Sequence, residues 1–424
     1  MSRTTDDLTA LDVDAVDFET TRLQPVIVLR VHEIALKGLN RRWFMQILRE
    51  NLMFALRGLD VANPRSRSSR TFIDLNDLSQ WHEVRERLRH VFGIANFSLA
   101  IQCRARMRSI RSALHALFKV EGLPTGSFCV RARRANKNFS KSSPEIEREL
   151  GSYIQRRSDA PVNLRHPDRT YRVEVLHEAA YVSSDSIQGP GGLPVGVSGR
   201  VVVLMSGGFD SPIAVYRMMK RGCHVTMVHC HAHPFVRSTS IEKVVELAQM
   251  LGEHQRDLRL LTVPIGEAQQ AIAIASDPAL RVVLYRRLMI RIATAVAESE
   301  GAAALVTGES VGQVSSQTLE NIHAIGSATD LPILRPLIGF DKAEIMEEGR
   351  QLGTDVISSV PDDDCCTVFV PQHPTTHATI EECLRAEAGM DVSQMVLRSL
   401  ERQIHYSGNP REWDVNLALD TVSA

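Results

Sequence analysis

The sequence predicts an α/β protein whose first half is basic and α+β, and whose second half is built on a doubly wound parallel sheet. Residues 201–205 form an uninterrupted, largely β-branched apolar run, which is typical of a strand buried on both faces of such a sheet. Residues 25–180 hold 28 basic and 15 acidic residues, whereas residues 181–424 hold 19 and 29. Excess positive charge in one half indicates that it binds a polyanion; solvated helix faces without a partner are the alternative.

The N-terminus, residues 1–24, holds six acidic and two basic residues and no apolar core segment. We interpret it as an acidic flexible tail rather than a signal or transit peptide. The chain has no apolar run of about 18 residues, so we expect no membrane-spanning helix and no membrane partner. These features together predict a cytoplasmic protein.

The first half reads as two small α/β units. The first has predicted strands at 26–31, 70–75 and 95–103 and helices at 43–56 and 81–91, an order compatible with a ferredoxin-like arrangement. The second has predicted helices at 110–120 and 144–157 and strands at 127–132, near 162–164 and at 171–176. Glycine- and proline-rich residues 189–196 then predict a hinge.

The second half alternates strands with helices. The predicted strands are 201–205, 225–230, 258–263 and 304–307, and the predicted helices are 212–221, 241–251, 279–299 and 314–325. Ligands of doubly wound sheets bind at the carboxyl ends of the strands. We therefore expect the site where these strands end.

A glycine-rich turn follows the first of these strands. Ser206-Gly207-Gly208 offers backbone N–H groups to an anion, and Ser211-Pro212 reads as an N-cap and a first helical position. A phosphate there would meet loop amides, two hydroxyls and a helix N-terminus. The loop lacks the Walker A ending and the dinucleotide glycine pattern. It resembles the SGGxDS loop of PP-loop ATP pyrophosphatases; a connection that binds nothing is the alternative.

Three further clusters are candidates for the same site. On a predicted helix, Arg287 and Arg291 share one face while Arg286 points elsewhere, and an arginine beside a triphosphate would offset negative charge. Residues 307–317 form a dense run of polar and small residues at a strand end, which indicates a ligand. Lys342 follows an aspartate and is either part of this site or part of a helix cap.

Seven cysteines in a chain without an export signal argue against a disulfide scaffold. No CxxC pair occurs, so a zinc or iron–sulfur site built from such a pair is unsupported, and we assign no metal ligands. The adjacent Cys365 and Cys366 follow three aspartates, and an acidic flank raises a cysteine pKa. These two cysteines are therefore either unreactive or activated by a positive charge from elsewhere in the fold.

Seven segments in order resemble the tRNA 4-thiouridine synthases (tRNA uracil 4-sulfurtransferases), over residues 25–385. They are 33–38 with 40–41, 130–140, 191–196, 206–212, 307–318, 335–338 with 341–342, and 364–366. The resemblance implies a ferredoxin-like domain (25–80), a THUMP tRNA-binding domain (81–185), a linker (186–197) and a PP-loop adenylation domain (198–385). Outside the matching range, we expect the acidic tail at 1–24 and a C-terminal helical tail at 386–424.

The resemblance also implies functional residues, with ATP and Mg²⁺ as cofactors and tRNA as partner. The implied ATP contacts are Leu204, Met205, Ser206, Gly207, Gly208, Ser211, His229, Cys230, Arg286, Gly308 and Gln317. The implied catalytic residues are Asp210, Lys342 and Cys366, with Cys365 as the alternative to Cys366. The basic residues expected to bind tRNA are Lys37, Arg41, Arg131, Arg133, Arg134 and Lys137.

The activity implied is ATP-dependent adenylation of O4 of the uridine at position 8 of tRNA, followed by sulfur transfer from a persulfide. Long relatives carry a C-terminal rhodanese domain, whereas only about forty residues follow Cys383 here, so we expect a short form. Sulfur is then expected from a cysteine desulfurase or another persulfide donor. Alternatives are a PP-loop ligase or amidotransferase, or a sulfur-carrier step in thiamine thiazole synthesis. A homodimer is left open.

Overall fold

The chain divides into two compact units. A computed structural model describes residues 23–67, 70–177, 179–184, 186–236, 239–361, 369, 371–408 and 410–413. The first unit comprises Met1–Ala35, Leu56–Arg89 and Ile94–Gly191, and the second comprises Leu36–Ala55, His90–Gly93 and Gly192–Ala424. All but the last two residues of the expected acidic tail lie outside the described residues. The Cys365-Cys366 pair lies outside them as well.

The strands are β1 (Gln24–Arg30), β2 (Arg65–Arg67), β3 (Arg70–Asp74), β4 (Asn96–Arg104), β5 (Phe128–Arg134), β6 (Arg169–Val175), β7 (Ala179–Ser183), β8 (Ile187–Gln188), β9 (Arg200–Leu204), β10 (His224–His231), β11 (Arg259–Pro264), β12 (Ala304–Val306), β13 (Ile333–Leu334) and β14 (Ile404–Tyr406). The α-helices are α1 (Arg41–Ala55), α2 (Trp81–Leu88), α3 (Met107–Glu121), α4 (Ser143–Gln155), α5 (Asp210–Lys220), α6 (Thr239–Leu251), α7 (Gly266–Ala275), α8 (Arg281–Glu300), α9 (Leu319–Gly326), α10 (Lys342–Leu352), α11 (Thr354–Ser358), α12 (Ile380–Glu387) and α13 (Val392–Glu401).

The first unit is built on a mixed sheet. Its strands run in the order β2-β3-β1-β4-β7-β6-β5, with β8 pairing to β4, and the β5–β6 pair is parallel while the others are antiparallel. The β1 residues Val26–Leu29 are all buried, as expected for a strand in the interior of a sheet. Strand β5 lies at the edge of this sheet, where exposed side chains are accessible to a partner.

The second unit carries the predicted doubly wound sheet, and the prediction of this fold is confirmed. Among the described residues its strand order is β13-β12-β9-β10-β11-β14, and all pairs are parallel except β11–β14. Strand β9 pairs with β10, the next strand in the chain, on one side and with the later strand β12 on the other side. The carboxyl end of β9 is therefore the topological switch point, where such folds bind ligands.

An interior ion cluster fixes α12 against α8. The Glu387 carboxylate accepts from Arg287 Nε at 2.8 Å and from Arg291 Nη1 at 2.8 Å. Arg287 also donates to the Ala324 carbonyl and to Ser327 Oγ. Burial opposes ionisation of Glu387, but the hydrogen bonds from the two arginines hold its pKa below the ordinary value. The predicted shared face of Arg287 and Arg291 is confirmed.

Two local predictions near this sheet differ from the observed elements. A helix over 314–325 was expected, but Thr318 interrupts it: its Oγ1 accepts from Asn321 N at 3.2 Å, so α9 begins at Leu319 after a short 3₁₀ turn at Ser315–Gln317. Residues 386–424 were expected to form a helical tail; α13 lies in this range, but the chain after α13 forms β14, which pairs antiparallel with β11.

The expected strand near 162–164 is also absent from the described part of the first unit. Val162 makes one isolated bridge to Phe128. The side chain of Asn163 accepts from Arg165 N and His166 N, both at 3.1 Å, and this local turn replaces a strand ladder.

Candidate nucleotide site

The glycine-rich turn after β9 is folded around Ser211. Ser211 Oγ accepts from Ser206 N at 2.8 Å and donates to the Ser206 carbonyl at 3.0 Å, so both ends of the turn are joined. The prediction that Ser211 is an N-cap is therefore wrong: α5 begins one residue earlier, at Asp210, with Phe209 at the cap position. The hydroxyl stabilises the loop because it is turned inward, not toward the helix.

Gly208 is not required by the backbone geometry of this turn. Gly208 is not among the described residues that have a positive φ. A Cβ placed there would meet Ser206 Oγ at 3.5 Å, an ordinary contact. The fold would therefore tolerate a side chain at Gly208. Because glycine has no side chain, space is left beside the α5 N-terminus, where an anion is favoured.

A neighbouring strand end closes the other side of this space. A Cβ at Gly308 would lie 2.9 Å from Ser211 N and 3.0 Å from the Asp210 carbonyl carbon, so only glycine fits. Gly308 follows β12, which pairs with β9. The close approach brings residues 307–317 against the start of α5.

The third strand contributes His229 and Cys230, both buried at the end of β10. His229 Nδ1 donates to the Met205 carbonyl at 3.0 Å, which fixes the orientation of the ring. His231, two residues on, stacks near His229 with ring centroids 6.2 Å apart. Burial lowers the pKa of His231 to about 3, so this side chain stays neutral near neutral pH.

A buried carboxylate joins two arginines at the wall of the site. Glu309 accepts from Arg286 Nη1 at 2.7 Å, from Arg335 Nε at 2.7 Å and from Thr307 Oγ1 at 2.9 Å. Glu309 is 4% exposed. Arg286 thus points away from Arg287, as predicted, and its guanidinium is held at the nucleotide side of α8.

A second charged cluster stands at the mouth of the site. Asp210 Oδ1 accepts from Lys342 Nζ at 3.0 Å, and Oδ2 accepts from Gln313 Nε2 at 3.0 Å. The Lys342 ammonium also lies 5.0 Å from the centre of the Phe209 ring. The helix cap at α10 is provided by Asp341, so Lys342 is left to act at Asp210.

All eleven predicted ATP contacts line one cavity of about 380 Å³ at the switch point. Asp210 lines it too, and Lys342 reaches it through Asp210. Gln317, 5% exposed, has a side-chain oxygen without a hydrogen-bond partner among the described residues. A buried acceptor left unpaired costs about 1–3 kcal/mol, so a donor on a ligand, such as an amino group, would stabilise it.

Two charged lining residues were given no individual role by the sequence analysis, Lys243 and Glu309. Glu309 lies in the polar segment 307–317, but nothing in that sequence indicates that its carboxylate binds two arginines. Lys243 is on α6, a helix whose sequence predicts only a buried apolar face. Both roles depend on tertiary contacts, which a sequence pattern does not contain.

The basic residues expected to bind tRNA lie in both units. Arg131 and Arg133 alternate on β5, are exposed and share one face of the edge strand. Arg134 faces the other way and donates from Nη1 to the Phe139 carbonyl at 3.2 Å. Lys137 is exposed in the following turn. In the second unit Lys37 lies 5.4 Å from the Phe44 ring centre, beside Arg41 at the start of α1.

Neither a metal cluster nor a membrane span is found in the part of the chain that the structure describes. No three or more His, Cys, Asp or Glu side chains there converge as metal ligands. No described helix is both long and apolar enough to cross a membrane.

Three sequence families match consecutive parts of the chain. Residues 26–98 match the ThiI ferredoxin-like domain, residues 104–185 match the THUMP domain, and residues 196–392 match the thiamine biosynthesis protein (ThiI) family. A "probable tRNA sulfurtransferase" of Thermus thermophilus is 43% identical over 380 residues, covering 89% of this chain and 93% of the relative. The chain belongs to the tRNA sulfurtransferase family.

Other relatives and a solved structure agree with this membership. Probable tRNA sulfurtransferases of Moorella thermoacetica and Staphylococcus aureus are 43% and 36% identical, each over 88% of this chain and 95% and 92% of the relative. A crystal structure of a 4-thiouridine synthetase–RNA complex with bound ATP is 33% identical, with a TM-score of 0.82, and covers 91% of this chain and 99% of that one. These relatives and this solved structure therefore match about nine tenths of the chain.

Proposed function

We propose that the protein uses ATP to convert the uridine at position 8 of tRNA to 4-thiouridine, taking sulfur from a persulfide. The observation that carries this proposal is that one cavity at the end of β9 gathers the loop, Arg286, Gly308 and Gln317. Relatives named tRNA sulfurtransferases and a solved synthetase with ATP and RNA support it.

In the first step O4 of the uracil attacks the α-phosphorus of ATP, and pyrophosphate leaves. The loop amides and the α5 N-terminus would hold the phosphates, and Arg286 would offset charge as it develops. Gln317 Oε1 would accept from the adenine amino group. Asp210 and Lys342, joined at the cavity mouth, stand where the uridine must enter.

Mg²⁺ would enter with the triphosphate rather than as a resident ion. Protein-bound Mg²⁺ commonly keeps several waters and is held by one or two carboxylates together with substrate phosphates. Asp210 and Glu309 are the carboxylates that line the cavity among the described residues. Glu309 is occupied by two arginines, so Asp210 is the residue that fits this role, once ATP and Mg²⁺ compete with Lys342 for it.

In the second step a persulfide sulfur attacks C4, and AMP leaves with the former O4. The product is a C4–S–S–R disulfide with the donor, a cysteine desulfurase or another persulfide donor. A thiolate, assigned to Cys366, then attacks the donor sulfur, which leaves the thiocarbonyl on the uridine and a Cys366–donor disulfide. A thiol reductant must reduce that disulfide before the next turnover.

Mass spectrometry of tRNA nucleosides tests the proposal. A strain lacking the gene should lose 4-thiouridine, and the unaltered chain should restore it. Asp210→Ala should not restore it, because the residue that would hold the incoming Mg²⁺ is removed. Asp330→Ala, which alters an exposed aspartate of the same unit, is the matched control and should restore it. Normal thiouridine in the deletion strain would favour another PP-loop substrate.

The sulfur step is tested by comparing Cys366→Ser with Cys365→Ser in a single turnover with a persulfide donor. We expect the Cys366 variant to release pyrophosphate but to stop before free 4-thiouridine forms, and the Cys365 variant to complete the turnover. Equal activity of the two variants would contradict the assigned role of Cys366.

A further inference from the structure

The Asp210 carboxylate is held from two sides by groups of different charge. Oδ1 accepts from the Lys342 ammonium and Oδ2 accepts from the Gln313 amide, both at 3.0 Å. The Asp210 side chain is 21% exposed and the Lys342 side chain 44% exposed, so the ion pair lies on the solvent side of the cavity. Because each oxygen has its own partner, one partner can be exchanged while the other stays.

Gln313 lies in a loop whose neighbouring residues are fixed. Ser310 Oγ donates to the Phe340 carbonyl at 2.7 Å, and Gly312 N donates to the Gln317 carbonyl at 2.9 Å. Ser310 and Gln317 are buried, whereas Gln313 between them is exposed. The loop therefore fixes the position of the Gln313 backbone. The direction of its exposed side chain is set by the hydrogen bond that reaches back to the first residue of α5.

The two partners of Asp210 respond differently to an incoming cation. Lys342 is positively charged, so a cation that approaches the carboxylate is repelled by Lys342 and competes with it for Oδ1. The Gln313 amide is neutral, so it neither repels a cation nor cancels the charge of the carboxylate. Its hydrogen bond to a charged acceptor is of a strong kind and does not depend on the ammonium. Lys342 is thus the exchangeable partner, and Gln313 is the partner that stays.

We propose that Gln313 is a positioning residue, which keeps the Asp210 carboxylate directed to the cavity mouth while Lys342 gives way to the Mg²⁺ that enters with ATP. The inference rests on the proposed function and deepens it, because it gives a role to a residue outside the ATP contacts and the catalytic residues. Gln313 lines the cavity but takes part in neither chemical step. Loss of its amide should therefore weaken only the part of nucleotide binding that depends on Mg²⁺.

Equilibrium binding of α,β-methylene ATP to the full-length chain tests this role without turnover. In this analogue a methylene group replaces the oxygen between the α- and β-phosphorus atoms, where adenylation breaks ATP, so the analogue binds but does not react. Isothermal titration calorimetry gives its affinity with excess Mg²⁺ and again with EDTA. For Gln313→Met we expect the affinity to fall about tenfold with Mg²⁺, as for the loss of one hydrogen bond to a charged group, and less than about twofold with EDTA.

Gln351→Met is the matched control. Gln351 is also an exposed glutamine whose Nε2 donates to a carboxylate, that of Glu347 at 3.1 Å, and neither residue lines the cavity. This variant should leave both affinities unchanged. Asp210→Ala should lose the gain in affinity that Mg²⁺ provides. Adding Gln313→Met to Asp210→Ala should cause no further loss, because Gln313 acts through Asp210.

Equal losses of affinity with Mg²⁺ and with EDTA would overturn the inference, since Gln313 would then support the shape of the site rather than the carboxylate. An unchanged affinity with Mg²⁺, or a further loss in the double variant, would overturn it as well. Gln313→Ala, compared by circular dichroism and calorimetry, decides the inference if the methionine variant does not fold. Failure of the unaltered chain to form 4-thiouridine would refute the proposed function, whereas a failed binding prediction in an active chain refutes the positioning role alone.

Discussion

Glu309 holds two arginines that come from different elements of the fold. Arg286 belongs to α8 and Arg335 follows β13, and both donate to the one buried carboxylate at 2.7 Å. Without a counter-charge, two guanidinium groups at this distance from one point would repel each other. The carboxylate thus fixes the direction in which Arg286 faces the cavity.

Glu309→Gln tests this role at the residue scale. The amide keeps the shape of the side chain but removes the charge, so we expect the KM for ATP to rise about tenfold, which corresponds to about 1.4 kcal/mol. Combined with Arg286→Ala, the effect should be much less than additive, because both variants disturb one interaction. Steady-state kinetics measures both. Glu347→Gln, in a surface pair with Arg350, is the control and should not alter the KM.

At the scale of single residues, the sequence predicted which residues lie together at the cavity. It did not predict the hydrogen bonds that these residues make to one another. Glycines, hydroxyls and polar residues at strand ends indicated the cavity, because parallel strands end at one edge of a sheet. The inward turn of Ser211 and the roles of Glu309 and Lys243 could not be predicted. Glu309 and Lys243 depend on partners more than twenty positions away in the sequence. The Ser211 hydroxyl could have capped the helix equally well.

Helix α8 is the element that links the cavity to the interior of its unit. Arg286, at the cavity, is followed directly by Arg287, whose side chain is 1% exposed and bound to Glu387. Since a helix is rigid over one turn, the Arg287 contact limits the rotation of α8 and so the position of Arg286. The C-terminal helices therefore support the site from a distance.

Glu387→Ala tests this support at the element scale. Removing one partner of a buried pair leaves an uncompensated charge, and we expect about 3 kcal/mol less stability. Arg291→Ala removes the more exposed arginine of the cluster, whose side chain is 25% exposed, and should cost below about 1 kcal/mol. Because the folded pKa of Glu387 is lowered, its contribution is complete above the unfolded pKa and is lost as the pH falls through the folded value. Urea unfolding at two pH values measures both effects, and equal losses in the two variants would contradict the argument.

The long strands and helices were predicted well because burial on both faces of a parallel sheet requires long apolar runs. The short elements were not predicted. Strand β14 has three residues and is defined by its pairing with β11, so its own sequence carries little signal. The break at Thr318 was missed because the apolar pattern continues through it, while the cap depends on a single hydroxyl.

The charge of the whole molecule is divided between a basic part and an acidic part of the sequence. The basic residues concentrate in 25–180, whereas the acidic second half contains the nucleotide cavity, whose local charges are balanced by Glu309 and Asp210. Counterion release favours polyanion binding by the basic part at low salt. ATP binding depends instead on a few fixed contacts, so the two affinities should respond differently to ionic strength.

The double variant Arg131→Ala, Arg133→Ala tests this division. Both arginines are exposed on one face of the edge strand β5, and we expect tRNA binding to weaken and the slope of log K against log salt to become shallower by about one unit for each lost phosphate contact. The KM for ATP should not change, because the cavity is in the other unit. The matched control is Arg200→Ala, Arg259→Ala, since both arginines are exposed but paired with Glu300. Filter binding of tRNA over a salt series measures the slope, and an unchanged slope with an altered KM for ATP would contradict the assignment of the basic face to tRNA.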